Sequence, residues 1–251
     1  MSLFAKPVAA TVTLRVLARL LAYPDAELRR HLPSLRDALH EECAITQRRL
    51  AELDALIAAL RGGAGVEGAL EVEAAYVELF DRGRATSLHL FEHVHGDSRD
   101  RGPAMIDLAQ TYEQAGLYLT EGELPDYLPV VLEFVSTQPP REARDFLAEM
   151  AHIFNALFSA LQQRHSAYAS VLGALLELAG ESARAVTLPA DEPLDESWAE
   201  PPAFDGCSSL GQARPGEPRP MHFVRKDDSS AVRKDDLSPV RKDVSRDGAP
   251  A

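Results

Sequence analysis

The chain is poor in the residues that most often announce a chemistry. It has two cysteines, Cys43 and Cys207, far apart and with no CxxC spacing. That excludes a disulfide framework and a zinc ribbon, and fits a reducing compartment. Aromatic residues are 6 % of the chain and tryptophan occurs once, at Trp198. Basic residues are in deficit: 26 Lys and Arg stand against 39 Asp and Glu, a formal net charge of −13. A surface of that sign does not coat nucleic acid, whose phosphates need clustered Lys and Arg, and it favours a basic partner over an acidic one. No uncharged apolar run approaches the ~20 residues of a spanning helix. The N-terminal apolar stretch is broken by Arg15 and Arg19, which makes it an amphipathic helix rather than a signal peptide. A cytoplasmic location is expected. There is no G-x-S-x-G around Ser87 or Ser98, no Walker motif, and no G-x-G-x-x-G after a strand, so an enzyme is not expected.

What is abundant is Ala and Leu, both strong helix formers, at apolar spacings of three and four. Helices are predicted over about 11–22 (Leu14, Leu17, Leu21) and from an Asp25 N-cap (Leu28, Leu32, Leu35, Leu39), with Pro33 kinking or splitting the second. Others are predicted over about 44–60, ended by Arg61-Gly62-Gly63, and over about 66–82, burying Leu70, Ala74, Val77 and Phe80 or Leu79. A further helix begins at Pro103 with Ile106, Ala109 and Tyr112 inside, and a short one follows an Asp126 cap. Pro139-Pro140 opens one long helix carrying Phe146, Met150, Ile153, Phe154, Leu157 and Leu161. The last, capped by Ser166, ends at Gly180. No stretch alternates as a strand does. The expected fold is all-α, a single bundle-like domain of about eight helices over residues 1–184. Residues 185–223 read as an acidic Pro/Gly-rich arm with Trp198 and Phe204, and 224–251, with its repeated VRKDD unit, as a disordered low-complexity tail.

One stretch is too charged for core and too particular for filler: YVELFDRGRATSLHLFEHVHGDSRDRGPAMIDL, residues 76–108. His89, His93 and His95 give it an H-x3-H-x-H spacing that could place imidazoles on one metal, or simply donate hydrogen bonds that fix the loop. Its arginines, with Glu92, Asp97 and Asp100, could form an ionic lattice or a solvated surface. Tyr112, Tyr118, Tyr127 and Phe134 could line a groove for a partner peptide, or pack as core. A small His-based metal-binding or metal-delivery protein is therefore an alternative reading. So are an enzyme using Glu92 and His93 as acid and base, and a permanent structural subunit.

The same stretch, with its elements LF-D-x-G-R, SLHLFEHVHG and DSRDRG-x-AM, resembles the signature region of the NarJ-type nitrate reductase molybdenum cofactor assembly chaperones, within the larger TorD-like family of molybdoenzyme chaperones. Leu21–Asp25, ELPDYLPVVLEF at 123–134 and LDESWAEPPAF at 194–204 also resemble family segments. The likeness runs over about 1–206, and the VRKDD repeats fall outside it. It implies an all-helical, non-catalytic protein that binds the catalytic α subunit of respiratory nitrate reductase through that subunit's N-terminal segment. It implies that the client is kept from the membrane while molybdopterin guanine dinucleotide is inserted. No permanently bound cofactor, no nucleic acid and no membrane span are implied, and molybdenum cofactor biosynthesis proteins are possible further partners. On this reading Tyr76, Phe80, Leu90, Phe91, Glu92, His93 and Asp97 hold or line the client site. Arg82, Gly83, Arg84, Gly96, Arg99, Asp100, Arg101 and Gly102 structure the loop around it.

Overall fold

A computed structural model describes residues 9–63, 65–96 and 98–184. Asp97, Trp198, Phe204, Cys207, the 185–223 arm and the 224–251 tail lie outside the described residues. The described residues fold as ten α-helices: α1 (Thr11–Leu21), α2 (Ala26–Glu42), α3 (Gln47–Leu60), α4 (Gly65–Phe80), α5 (Leu90–Val94), α6 (Arg101–Gln114), α7 (Leu128–Ser136), α8 (Pro140–Glu149), α9 (Ala151–Gln163) and α10 (Ala169–Ala179). A 3-10 turn, Arg84–Thr86, lies between α4 and α5. Among the described residues the only bridge of β type is an isolated antiparallel one between His89 and Tyr127. All belong to one unit.

The all-α expectation holds, with more and shorter helices than the expected eight. The predicted long helix after Pro140 is two, α8 and α9, because the backbone at Met150 turns to φ −88°, ψ 0°. Pro33 does not split α2, which runs unbroken for 17 residues. Leu28 and Leu32 before the proline side and Leu39 after it are all buried, so packing holds the helix through the missing hydrogen bond. The Asp25 cap forms as expected, its carboxylate accepting from Leu28 N–H at 2.7 Å. The third helix starts at Gln47 rather than 44, because Cys43 adopts a left-handed φ of 52°. The backbone N–H and hydroxyl of Thr46 then both donate to Glu177 on α10.

The core is built from the Leu-rich faces. α1 packs on α7 and α2, and α10 packs on α9, α8 and α3. Leu17, Leu20, Leu21, Leu132, Phe154, Leu157, Leu172 and Leu175 are fully enclosed. Each such side chain contributes about 1.5–3 kcal/mol by leaving water. α10 ends on Gly180 at φ 81°, with Glu181 N–H closing on Leu176 C=O at 2.8 Å.

Two predicted inner stripes turn out differently. On α4, Leu70 and Ala74 face solvent, while Gly68, Tyr76 and Phe80 face inward. On α6, Ile106 is exposed and Tyr112 is the one buried residue. Both helices are amphipathic only weakly, so periodicity could not fix which side packs.

Candidate functional site

The signature stretch forms a compact crossing between α4 and α6. Its foundation is aromatic. Tyr76 and Phe80 on α4 stack at 4.8 Å between ring centroids, and Phe80 meets Tyr168 edge-on at 4.9 Å. The Tyr76 hydroxyl donates to Leu21 C=O at 2.8 Å and lies 3.3 Å from that of Tyr127. Burial raises the Tyr76 phenol well above its ordinary pKa, so it remains a hydrogen-bond donor. The Thr86 hydroxyl then donates back to Leu79 C=O, closing the turn after α4. Gly83 makes room for a neighbour: a Cβ there would sit 2.8 Å from the Arg164 guanidinium.

The next segment is held by Asp126. Leu90 N–H donates to Asp126 C=O at 3.0 Å, and Leu128 N–H donates to Leu88 C=O at 2.9 Å. These two bonds pin residues 88–90 against 126–128. The Asp126 side chain is fully buried. Its carboxylate accepts from Phe91 N–H at 3.2 Å and from His89 Nδ1 at 3.3 Å, with Arg101 Nη2 at 3.7 Å. Arg101 also reaches Glu92 at 3.5 Å. Asp126 therefore caps the N-terminus of α5 from a distant segment, where α5's own N-cap, His89, makes no side-chain cap. The hydrogen bond to Asp126 raises the His89 pKa, partly offset by burial.

The three histidines go to three different partners. His89 meets Asp126 and stacks on Tyr127 at 5.3 Å; His93 Nε2 donates to Ser87 C=O at 2.8 Å; His95 lies edge-on to Phe91. No three His, Cys, Asp or Glu side chains converge as a metal site among the described residues. The imidazoles thus do structural work here, and the metal-binding alternative gains no support from their geometry.

Of the residues expected at the client site, Tyr76, Phe80 and Leu90 are buried and can only hold it. Phe91, Glu92 and His93 are half-buried on α5 and present a surface. Among the loop residues, Arg101 is the clamp. Arg82 pairs with Glu78 at 2.8 Å out in solvent. Asp100 accepts from the Ser98 hydroxyl just before α6. Arg99 is exposed, Arg84 sits in the 3-10 turn, Gly96 ends α5 at φ 52°, and Gly102 lies in the first turn of α6. An ionic cluster therefore forms around Arg101, Glu92 and Asp126.

Asp126 itself was expected to cap the following helix, which it does not: Tyr127 stands at that N-cap and no side-chain bond is made there. The available signal was a lone carboxylate inside Leu124-Pro125-Asp126-Tyr127-Leu128, since a charge set among apolar neighbours must find partners.

Beyond the clamp lies a groove of about 460 Å3 between α1, α7 and the end of α6, lined by Tyr112, Leu117, Tyr118, Val130 and Phe134, with Arg15 and Arg19 on one wall. Three of the four aromatic residues expected to form a partner groove meet here; Tyr127 instead faces Tyr76 and His89. Groove and clamp share a strut, because the Tyr112 hydroxyl donates to Pro125 C=O at 2.8 Å, one residue before Asp126.

A helical core thus fixes a half-exposed, charged aromatic turn beside an apolar groove, in an all-α domain built to present a surface. The fold matches the crystal structure of a protein described as a redox enzyme maturation protein from Archaeoglobus fulgidus, with a TM-score of 0.50, over 72 % of this chain and 100 % of that one, at 17 % identity. The family model for the nitrate reductase delta subunit matches residues 22–172. The Escherichia coli (strain K12) nitrate reductase molybdenum cofactor assembly chaperone NarJ is 43 % identical over 197 residues, covering 77 % of this chain and 80 % of that protein. A Bacillus subtilis (strain 168) protein described as a probable NarJ is 34 % identical, over 66 % of this chain and 86 % of that protein. The chain belongs to the nitrate reductase delta subunit family, as a NarJ-type molybdenum cofactor assembly chaperone. That family consists of assembly chaperones, not catalysts.

Proposed function

We propose that the protein is a cytoplasmic chaperone for the catalytic α subunit of respiratory nitrate reductase, which it binds through that subunit's N-terminal segment. It holds the subunit away from the membrane while molybdopterin guanine dinucleotide is inserted, and then leaves. The cofactor is cargo for the client. The observation that carries this reading is the turn Leu90–Val94, fixed from below by Asp126 and Arg101 while Phe91, Glu92 and His93 remain accessible. A preorganised surface binds without the entropy cost of ordering itself. Phe91 supplies an apolar anchor, and Glu92 and His93 supply polar selectivity. Asp97, beside this turn in sequence, is a proposed further contact. Net charge of −13 favours a client segment with basic residues.

The test is capture of the α subunit from cells blocked in cofactor synthesis, with and without its N-terminal segment. The cofactor-free subunit should co-purify, and the truncated one should not. Stoichiometric presence of the protein in the mature membrane enzyme would instead mark it as a structural subunit.

A further inference from the structure

The outer face of α4 takes no part in the site above. Gly68, Tyr76 and Phe80 turn inward, while Val66 and Leu70 are 75 % and 57 % exposed. Ala74 is exposed and Val77 half-buried. At 3.6 residues per turn, Val66, Leu70, Ala74 and Val77 form one narrow apolar ridge along the helix. Glu67, Glu71 and Glu78, all exposed, fall on the adjoining strip. Glu73 flanks the other side, where it accepts from Tyr23 and Arg29. Between Gly65 and Asp81 there are five acidic residues and no Lys or Arg. Arg82 follows and pairs with Glu78.

An apolar ridge with free acid on one flank, Glu67 and Glu71, and an already paired Glu73 on the other selects its occupant. A second copy would set Glu67 and Glu71 against their equals, and anionic lipid or nucleic acid would meet the same repulsion. A helix with an apolar stripe flanked by Lys or Arg satisfies both features at once. We propose that the outer face of α4 is a docking surface for a basic amphipathic helix of a partner protein. The ridge is short, so the contact is weak and reversible, with a Kd on the order of micromolar. It is a different strip of α4 from the one that turns Tyr76 and Phe80 inward, and it does not include the Phe91–His93 turn.

The experiment uses the full-length protein and a labelled synthetic 15-residue helix with leucines at i, i+4, i+8 and i+11 flanked by lysines. A control peptide carries glutamates in place of the lysines. Fluorescence anisotropy should show binding of the lysine peptide, weakened by added salt, and none of the control. Val66→Asp with Leu70→Asp should weaken binding at least tenfold, as should Glu67→Lys with Glu71→Lys. All four positions are exposed, so circular dichroism should remain that of the native fold. Phe91→Ala should leave this affinity unchanged. Equal binding by both α4 variants, or its loss in Phe91→Ala, would overturn the proposal. So would a concentration-dependent dimer, seen by sedimentation, that Val66→Asp with Leu70→Asp dissolves.

Discussion

Helices α10 and α6 have similar lengths and opposite attachments. α10 buries nine of its 11 residues, whereas α6 buries one of its 14, Tyr112. α10 is held by apolar area on three sides. α6 and the turn before it are held by a few polar bonds: Tyr112 to Pro125, Arg101 to Glu92 and Asp126, and Asp126 to Phe91. Area is unspecific and strong in sum, while a small set of directed bonds fixes one geometry and opens at lower cost. The difference separates the part of the molecule that keeps it folded from the part proposed to meet a client.

That separation can be broken in graded ways. The largest effect is expected in the core: Leu172→Ala, at a fully buried position, should cost about 2–5 kcal/mol in urea unfolding, with the affinity of the folded protein for its client unchanged. Next is the clamp. Asp126→Ala strands Phe91 N–H and the facing Arg101, and should cost about 1–3 kcal/mol. Its signature is local, faster amide exchange at Phe91–His95 than at Leu172–Leu176. Equal acceleration in both segments would mean that clamp and core are one cooperative unit. Tyr76→Phe removes the hydrogen bond to Leu21 C=O and should cost about 1 kcal/mol. The smallest effect is a pH dependence. The His89 pKa is raised in the folded state by Asp126. Its contribution is therefore fully present below the unfolded value of about 6.5 and fades as pH rises through the higher folded value. His89→Gln should flatten the stability profile in that window, and an unaltered slope would remove His89 from the clamp.

The same contrast decides what could be read in the sequence. The strong stripes on α1, α7 and α10 repeat at helical spacing and pack as that spacing says, with Leu14, Leu17, Leu21, Val131, Leu172 and Leu176 inside. The 76–108 stretch was visible as a unit, in which Tyr76 and Phe80 pack together while Phe91 and Arg101 share Asp126. What was hidden is what no local pattern encodes. Asp126 reads as an ordinary helix cap, and only the fold brings it 35 residues back to Phe91 N–H. Leu70 and Ile106 look like core and face water, because α4 and α6 have too little packing around them to use a full stripe. The break at Met150 has no proline or glycine to announce it. Of the two readings of H-x3-H-x-H, the hydrogen-bonding one fits His89 and His93; the three share no helix face, because His89 precedes α5, His95 follows it, and only His93 lies within it.

In the proposed division of labour, the α5 turn binds and the core carries it. That division is tested most directly by calorimetric titration of the nitrate reductase α-subunit N-terminal peptide into wild-type protein, Phe91→Ala, Glu92→Gln and Leu172→Ala. Phe91→Ala should lose about tenfold or more in affinity, Glu92→Gln less, and folded Leu172→Ala should bind as the wild type does. Unchanged affinity in both α5 variants would contradict that division.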